Sequence, residues 1–181
     1  MTLERMVLLS GAMGAGKTLV ASLLEADHGF RRLSTSGYLR AYGQGFGPTG
    51  ERLQLQDLGD RLDIETDYRW VVDEVALPAF SSFPMGQRWL LDAARKPQQV
   101  AHFRATLGDA VYHIHLTAPE AVLRKRYEQR LTSQDTPYTT AVAHPNEVAA
   151  RGLEGIADVV IDTSTVTLER AVHQIVLLGR C

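Results

Sequence analysis

The chain has 181 residues, with 19 lysines and arginines against 21 aspartates and glutamates, a net charge of −2 and 45% hydrophobic residues. This composition excludes a largely disordered chain, argues against a generic nucleic-acid coat, and suffices for the core of a single domain over residues 1–181. The only cysteine is Cys181, so internal disulfides and cysteine-based zinc sites are excluded and a reducing, cytoplasmic setting is expected. No apolar run approaches the roughly 18 residues of a membrane span, so no membrane partner is expected.

Short apolar runs alternate with longer amphipathic stretches along the chain. The apolar runs occupy residues 6–9, 30–33, 88–91, 111–116 and 157–161, and their length predicts buried strands. Helical patterns cover residues 17–26, residues 168–178, and a stretch from the capping box Thr117-Ala-Pro-Glu120 to about residue 131. This alternation predicts an α/β fold in which helices cover both faces of a five-stranded parallel sheet, giving three α/β/α layers.

Two regions depart from the alternation. Residues 34–87 contain too much chain for one crossover, and helical patterns at about 36–42, 52–64 and 67–79 predict a helical insertion over the carboxyl edge of the sheet. Residues 132–146 are polar and rich in turn residues, which predicts a mobile loop or short lid, and the wider lid region extends over about 124–146.

The strongest motif lies between the first strand and the first helix. It matches G-x-x-x-x-G-K-[ST] in full, as Gly11-Ala12-Met13-Gly14-Ala15-Gly16-Lys17-Thr18. Glycines allow backbone N–H groups to converge on a phosphate, and the following helix adds its positive end. The motif therefore predicts a P-loop NTPase fold that binds ATP, with Lys17 at the β- and γ-phosphates and the Thr18 hydroxyl on Mg²⁺.

An acidic residue follows the predicted third strand. Asp92 ends the run Trp-Leu-Leu-Asp, and a carboxylate beside the phosphate loop can hold Mg²⁺ directly or through water. We expect Thr18 and Asp92 to form the metal site. Guanine-nucleotide switches are disfavoured because the chain contains no Asn-Lys-x-Asp motif.

Three further segments resemble nucleoside monophosphate kinases. Residues 33–40, Leu-Ser-Thr-Ser-Gly-Tyr-Leu-Arg, resemble the adenylate-kinase segment Ser-Thr-Gly-Asp-x-x-Arg, although Ser36-Gly37 replaces Gly-Asp. The resemblance implies that Thr35 and Arg40 hold the acceptor. Residues 92–95, Asp-Ala-Ala-Arg, are similar to the Asp-Gly-x-Arg form of dephospho-coenzyme-A-kinase-like proteins, which implies that Arg95 binds the acceptor phosphate.

The helix after the fourth strand resembles the lid entrance of the same kinases. Arg126 and Arg130 stand four residues apart, so both guanidinium groups can face one phosphate site. We expect them to act with Lys17 and Asp92 as the catalytic residues. The alternative interpretation of this run is a solvated basic helix face.

Weaker signals complete the candidate site. Arg52 and Gln56 lie off the apolar stripe of the helix formed by residues 52–64, where they are candidates for contacting the acceptor. The glycine-dense residues 43–50 are either a hinge or a plain flexible loop. His113 and His115 share one face of a strand, and without a visible third ligand they are interpreted as packing residues rather than a metal site.

The expected function is transfer of the γ-phosphoryl group of Mg-ATP to a small acceptor, foremost a nucleoside or deoxynucleoside monophosphate. One alternative is a kinase acting on a hydroxyl group, as in dephospho-coenzyme A, a modified nucleotide or DNA, for which Asp92 is the candidate base. The acidic balance of the chain disfavours nucleic-acid binding. A third alternative, from another class of protein, is a non-catalytic ATP-binding regulatory module.

Overall fold

A computed structural model describes residues 3–43, 52–83, 87–130 and 136–179, and for residues 52 and 53 it describes the backbone alone. Five strands form one parallel sheet in the order β2-β3-β1-β4-β5. The strands are β1 (Leu3–Gly11), β2 (Phe30–Arg32), β3 (Gln87–Leu91), β4 (Val111–Thr117) and β5 (Val159–Asp162). Each contains or overlaps one predicted apolar run, so the predicted α/β fold with a five-stranded parallel sheet is confirmed.

The described α-helices connect these strands on both sides of the sheet. In chain order they are α1 (Lys17–His28), α2 (Thr35–Gly43), α3 (Arg52–Glu65), α4 (Leu77–Ser81), α5 (Pro97–Leu107), α6 (Glu120–Glu128), α7 (Tyr138–Val142), α8 (Pro145–Gly152) and α9 (Leu168–Leu177). Helix α5 was not predicted, although Pro97 in its first turn is a helix-start signal. In the part of the chain that is described, no helix is both long and apolar enough to span a membrane.

The central strand β1 divides the core into two halves. Its successive side chains point to opposite faces, so Met6 and Leu8 join one cluster of buried residues while Val7 and Leu9 join the other. The first cluster includes the apolar stripe of α3, formed by Leu55, Leu58 and Leu62, together with both tryptophans, Trp70 and Trp89. The second cluster contains the buried faces of α1 and α9. The apolar stripe of α3 and the segment around Trp70 thus pack with the sheet on the first face.

The predicted helical segment over residues 67–79 is present, but it begins later and its first part is not α-helical. Asp67 and Tyr68 have positive φ angles of 49° and 63°, which end the helical path after α3. The chain resumes as a π-helix, Val71–Ala76, in which the Leu77 N–H bonds to the Val72 carbonyl, and then continues into α4. Pro78 lies in the first turn of α4, where a residue without an N–H is tolerated.

The predicted start of α6 also needs correction. The capping box does not form, because the helix is preceded by Pro119 without a side-chain cap, and Glu120 bonds to other side chains described below. The helix ends at Glu128, earlier than predicted, and Arg130 lies in the turn that follows.

The predicted polar loop over residues 132–146 is partly helical. Residues 131–135 lie outside the described part of the chain, but α7 and the start of α8 follow. Proline precedes α7 and opens α8, which favours helix initiation, and Tyr138 is buried rather than mobile at the surface. His144 caps α8 by accepting a hydrogen bond from the Asn146 N–H, so a helix begins at the end of the predicted loop.

Candidate functional site: the phosphate loop and an adjoining cavity

The glycine motif forms the turn between β1 and α1. Gly14 and Gly16 have positive φ angles of 84° and 93°, which are strained for other residues. A Cβ atom at Gly14 would lie 2.5 Å from the Leu123 carbonyl oxygen, so α6 leaves no room for a side chain there. The loop is therefore held in a conformation that requires glycine, at the carboxyl edge of the sheet where α/β proteins bind ligands.

Lys17 lies across this loop. Its Nζ donates hydrogen bonds to the carbonyl oxygens of Gly11, at 2.5 Å, and Ala12, at 3.0 Å. Burial lowers the pKa of Lys17 to about 8, and the nearby cations Arg95 and Arg130 also lower it, whereas Glu147 and Asp92 raise it. Lys17 is therefore protonated at neutral pH. Two arginines and two carboxylates lie close enough to shift its pKa.

Thr18 and Asp92 flank the lysine. Thr18 is exposed in the first turn of α1, and Asp92 follows β3, the neighbour of β1. Asp92 Oδ2 accepts a hydrogen bond from Arg32 at 3.2 Å, and Arg32 also pairs with Glu25 at 2.6 Å. Sequence reasoning missed Arg32, which carries no recognisable motif signal on the short strand β2.

These two residues fit a magnesium ion that is bound mainly by water and phosphate. In the described ranges there is no cluster of three histidine, cysteine or acidic side chains that could hold a metal. Mg²⁺ commonly takes only one or two protein oxygens, together with substrate phosphates and waters. The hydroxyl of Thr18 and the carboxylate of Asp92 supply that donor chemistry, so the residues present suit Mg²⁺ accompanying a nucleotide.

Glu147 is the main residue that the sequence analysis missed. It is buried in the first turn of α8, and its Oε1 accepts a hydrogen bond from the backbone N–H of Met13 at 2.7 Å. Among the acidic groups that act on Lys17, Glu147 has the largest effect. The sequence gives no signal that Glu147 contacts a loop 134 residues earlier.

Arg151, one helical turn beyond Glu147, ties α8 to α6. It donates to Glu147 Oε1 at 3.3 Å and to Glu120 Oε2 at 2.8 Å. Tyr138 donates to the other oxygen of Glu120 at 2.7 Å. These hydrogen bonds lower the pKa of Glu120, so the carboxylate stays charged and holds α6, α7 and α8 together at the loop.

The two candidate lid arginines occupy different positions. Arg126 donates to the hydroxyl and the carbonyl of Thr163, both at 2.8 Å, and more weakly to the Gly14 carbonyl. Arg130 donates from Nε to the Arg126 carbonyl at 3.2 Å and acts electrostatically on Lys17. Arg126 thus braces the outer side of the phosphate loop, whereas the Arg130 charge is felt at the lysine.

Two cavities concern the site, and one of them adjoins the phosphate loop. One, of about 380 Å³, lies against its outer side and is lined by Gly14, Ala15, Gly16, Leu19, Arg126, Gln129, Arg130, Thr163, Val166, Thr167, Leu168 and Ala171. Leu19 belongs to the helical pattern of residues 17–26, yet it is 61% exposed. Leu19 therefore contributes an apolar side chain to the lining of this cavity and does not belong to the core.

The other cavity, also of about 380 Å³, brings together most of the predicted acceptor residues. Thr35, Arg40, Gln56 and Arg95 all line it. Its remaining lining comes from residues that the sequence analysis did not select: Ser36, Leu39, Leu55, Gly59, Asp60, Asp63, Trp70, Val71, Ala93, Lys96, Gln99 and Asn146. The side chain of Arg52 and residues 44–50 lie outside the described part of the chain.

Two hydrogen bonds connect α8 with the α3 wall of this cavity. Gln56 Nε2 lies 3.1 Å from His144 Nδ1 and 3.0 Å from His144 Nε2, while Asn146 Nδ2 donates to Asp60 at 3.0 Å. One short helix therefore contacts both the phosphate loop, through Glu147, and the wall of the cavity.

The paired histidines lie in the sheet rather than in either cavity. Ser10 Oγ bridges them, 2.7 Å from His113 Nε2 and 2.9 Å from His115 Nδ1. Burial lowers the pKa of both histidines to about 4, so both are neutral at pH 7. The hydrogen bonds to Ser10 thus supply both imidazole rings with a partner inside the core, which agrees with their interpretation as packing residues.

Comparison with known proteins identifies the family to which the chain belongs. The AAA domain family matches residues 7–141, which include the phosphate loop, the helical segment of the acceptor cavity and the start of α7. No curated protein matches the sequence.

Several solved structures share the fold over nearly the whole chain. A sugar kinase from Janibacter has 16% identity and a TM-score of 0.57, covering 94% of this chain and 91% of its own. Shikimate kinase from Acinetobacter baumannii, in complex with shikimate, has 16% identity and a TM-score of 0.50, with 96% and 92% covered. The YorR protein from Bacillus subtilis, in complex with phosphorylated GDP, has 14% identity and a TM-score of 0.52, with 97% and 95% covered. Identities this low show the fold, and the family match carries the assignment: the chain belongs to the AAA domain family and has the fold of the P-loop kinases.

Proposed function

We propose that the chain transfers the γ-phosphoryl group of Mg-ATP to a small anionic acceptor, and that this acceptor is a nucleoside or deoxynucleoside monophosphate. The observation that carries the proposal is the relation between Lys17 and Arg95. Arg95 lines the acceptor cavity, yet its charge depresses the pKa of the phosphate-loop lysine. The cation of the acceptor cavity therefore acts electrostatically on the cation of the phosphate loop, which supports a reaction between groups bound at the two sites.

The charge pattern of the acceptor cavity supports a nucleotide. Arg40, Arg95 and Lys96 give it three cations suited to a phosphate group. Trp70 and Leu55 give it apolar surface suited to a base, and Asp60 and Asp63 give it carboxylates. A monophosphate with a planar, hydrogen-bonding base matches all three kinds of surface in one cavity.

The outer cavity beside the loop suits the nucleoside part of ATP. Leu19 provides apolar contact, and the Arg126 guanidinium, fixed by Thr163, offers a planar cationic surface on which a base can stack. The loop N–H groups, Lys17 and the Arg130 charge then serve the phosphates. We therefore assign Arg126 to the base and Arg130 to the transferred phosphoryl group, instead of assigning both to the phosphoryl group.

Such a reaction needs positioning and charge more than covalent chemistry. The bond between the γ-phosphorus and the oxygen that stays with ADP breaks, and a bond forms to an oxygen of the acceptor phosphate. That oxygen is already ionised, so no side chain has to remove a proton. Lys17, Arg95 and Arg130 offset the charge of the oxygens during transfer. Thr18 and Asp92 would hold a Mg²⁺ ion, which would supply further charge neutralisation.

Segments 34–87 and 124–146 have separate roles in this proposal. The first supplies the acceptor-binding helices α2 and α3, and the second carries the lid arginines. Both attach to a single domain whose sheet carries the phosphate loop. Hydrogen bonds from α8 to the phosphate loop and toward α3 support the view that the segment after the lid connects the two binding sites.

The structural relatives support phosphoryl transfer, but they differ from one another in the compounds that their names and bound ligands indicate. The Janibacter relative is a sugar kinase, the Acinetobacter relative was captured with shikimate, and the Bacillus relative with phosphorylated GDP. The first two act on compounds with hydroxyl groups, whereas the third shows a nucleotide bound on this fold. We favour the nucleotide because three cations and an indole line one cavity.

The test is ADP release from Mg-ATP with each ribo- and deoxynucleoside monophosphate, dephospho-coenzyme A and representative sugars, with Lys17→Ala as the inactive reference. The proposal expects acceptor-dependent ADP formation with at least one monophosphate. A rate confined to hydroxyl acceptors would replace the nucleotide by an alcohol and make Asp92 the candidate base. ATP binding without turnover by any acceptor would favour a regulatory module and overturn the proposal.

A further inference from the structure

Asp63 is a carboxylate whose orientation is fixed inside the acceptor cavity. It lies near the end of α3, is only 6% exposed and lines the cavity. Its Oδ1 accepts a hydrogen bond from the Trp70 indole N–H at 2.7 Å and another from Gln99 Nε2 at 3.3 Å. Both donors come from buried residues, so the carboxylate cannot rotate without breaking them.

The second oxygen of Asp63 has no such partner. Among the described residues, every hydrogen bond to this carboxylate falls on Oδ1, and Oδ2 is not among the buried polar atoms that lack a partner. Oδ2 is therefore the part of this nearly buried side chain that remains accessible. Because Asp63 lines the cavity, its free lone pairs are available to a ligand there.

Two other residues that line the cavity beside Asp63 also offer hydrogen-bond acceptors. Asn146 Nδ2 donates to both oxygens of Asp60, at 3.0 and 3.2 Å, which fixes the amide orientation because carboxylate oxygens only accept. Asn146 Oδ1 is left buried and without a partner among the described residues. The wall formed by Asp60, Asp63 and Asn146 thus has an excess of acceptors, and a ligand that satisfies it must bring N–H or O–H donors.

Resting on the proposed function, we infer that Asp63 is a specificity-determining residue that selects acceptors whose base carries an exocyclic amino group. An amino group donates to Oδ2 while the base contacts the part of the Trp70 indole that lines the same wall, the indole being stacked on Tyr38 at 5.7 Å. A base with a carbonyl at that position would place its oxygen against the carboxylate, and the two acceptors repel. Ribose also offers donors, but it has no flat face to match the indole.

Burial raises the pKa of Asp63, while the hydrogen bonds from Trp70 and Gln99 oppose that rise. Both bonds favour the charged form, which can only accept. The two donors at Oδ1 fix which oxygen of the carboxylate is left for a ligand, and this geometry carries the inference.

The first experiment uses the full chain and matched acceptors. Values of kcat/KM with Mg-ATP are compared for AMP and GMP against IMP, for CMP against UMP, and for each preferred ribonucleotide against its deoxy form. We expect the preferred amino base to exceed the counterpart that has a carbonyl or a hydrogen in place of the amino group by about 10- to 100-fold, the loss typical when a buried charged acceptor is left unpaired. The ribose and deoxyribose forms should differ much less.

The second experiment inverts the polarity of the site. In Asp63→Asn the amide oxygen faces Trp70 and Gln99, because both donate, so the amide nitrogen faces the cavity as a donor. We expect the preference for amino bases to collapse at least tenfold, with activity toward IMP or UMP retained or raised. Asp57→Asn is the matched control, since Asp57 is exposed on the same helix and does not line the cavity.

The outcomes separate this inference from the proposed function. If no monophosphate is phosphorylated, the proposed function fails. If monophosphates are phosphorylated but the amino and carbonyl bases react equally, or if Asp63→Asn changes the ratio of ribose to deoxyribose forms instead, the inference is wrong and the function stands. The wild-type comparison does not depend on the variant, and the ATP affinity and melting temperature of Asp63→Asn show whether it folds.

Discussion

The backbone N–H of Met13, within the phosphate loop, donates a hydrogen bond to the buried carboxylate of Glu147 at 2.7 Å. Glu147 also contributes the largest acidic effect on the pKa of Lys17. The loop is therefore not an isolated motif, because its conformation and its charge both depend on α8. Through Asn146 and Asp60, the same helix also contacts the acceptor cavity.

Replacing Glu147 by glutamine should change how ATP binding depends on pH. The amide keeps an acceptor for Met13 but removes the charge that raises the Lys17 pKa of about 8. Since the protonated lysine binds phosphate, ATP affinity is lost as pH rises through that pKa, and the loss begins at lower pH in Glu147→Gln. We expect roughly threefold more affinity to be lost between pH 6.5 and 8.5 than in the wild type, as for a half-unit change of pKa.

The measurement is the ATP dissociation constant across this pH range. Arg95, Arg130, Asp92 and His115 also act electrostatically near Lys17, so the comparison must leave them unchanged. Glu154→Gln, an exposed change just after α8, serves as the control. Parallel pH profiles for wild type and Glu147→Gln would show that Glu147 has only a structural role.

Removing the Lys17 ammonium should abolish phosphoryl transfer while leaving the fold intact. Lys17→Ala deletes two hydrogen bonds to loop carbonyls and relieves the burial of a charge, so stability should change little. Loss of one preorganised cation at the transferred group should lower kcat by roughly 10²- to 10³-fold or more. The melting temperature, compared with that of the exposed control Lys125→Ala, checks the fold. Substantial kcat with Lys17→Ala would remove the loop from the reaction.

Arg95→Ala should affect the acceptor more than ATP. Arg95 lines the acceptor cavity, and a charge-assisted contact to phosphate contributes roughly 1.5–3 kcal/mol. The acceptor KM should therefore rise about 10- to 100-fold, with a smaller change in the ATP KM. Arg170→Ala on the exposed side of α9 is the control. Equal increases in both KM values would show that Arg95 does not belong to the acceptor site.

The two buried histidines should make the protein sensitive to mild acid. Both have pKa values of about 4 in the folded protein, below the value of about 6.5 expected when unfolded. The unfolded chain thus binds more protons than the folded chain between pH 4 and 6.5. The free energy of unfolding is therefore highest above pH 6.5 and falls as the pH decreases toward 4. Each histidine contributes on the order of 2–3 kcal/mol to this loss.

Urea unfolding at several pH values between 4 and 7.5 measures the effect. In His113→Gln the free energy of unfolding should depend less on pH over this window. His173→Gln, at an exposed position of α9, should leave the dependence unchanged. A wild-type stability that stays flat from pH 6.5 to 4.5 would show that these histidines are not held neutral by the fold.

Strands and the phosphate loop could be predicted because their signals are local. A buried parallel strand such as Leu3–Gly11 is a short apolar run, and the loop residues are fixed by backbone geometry that only glycine provides. A helical segment over residues 67–79 was also predicted, but hydrophobic periodicity does not reveal that Val71–Ala76 forms a π-helical turn.

The parts of the site that escaped prediction depend on contacts between distant segments. Glu147 meets Met13, Arg32 meets Asp92, and Asp63 meets Gln99, yet none of these pairs has a characteristic spacing in the sequence. Only the three-dimensional arrangement shows that Asp63 lines the cavity whose cations Arg40 and Arg95 were recognised from their resemblance to a kinase family.

The central claim is that the chain passes a phosphoryl group directly from ATP to a nucleotide in the cavity lined by Arg95. It is tested most directly by incubating the protein with γ-labelled ATP and its best monophosphate acceptor, and by following the label and ADP together. We predict that each ADP formed is matched by one labelled nucleoside diphosphate, and that omitting the acceptor abolishes both products. ADP formation at the same rate without an acceptor, with no label on the nucleotide, would contradict the account.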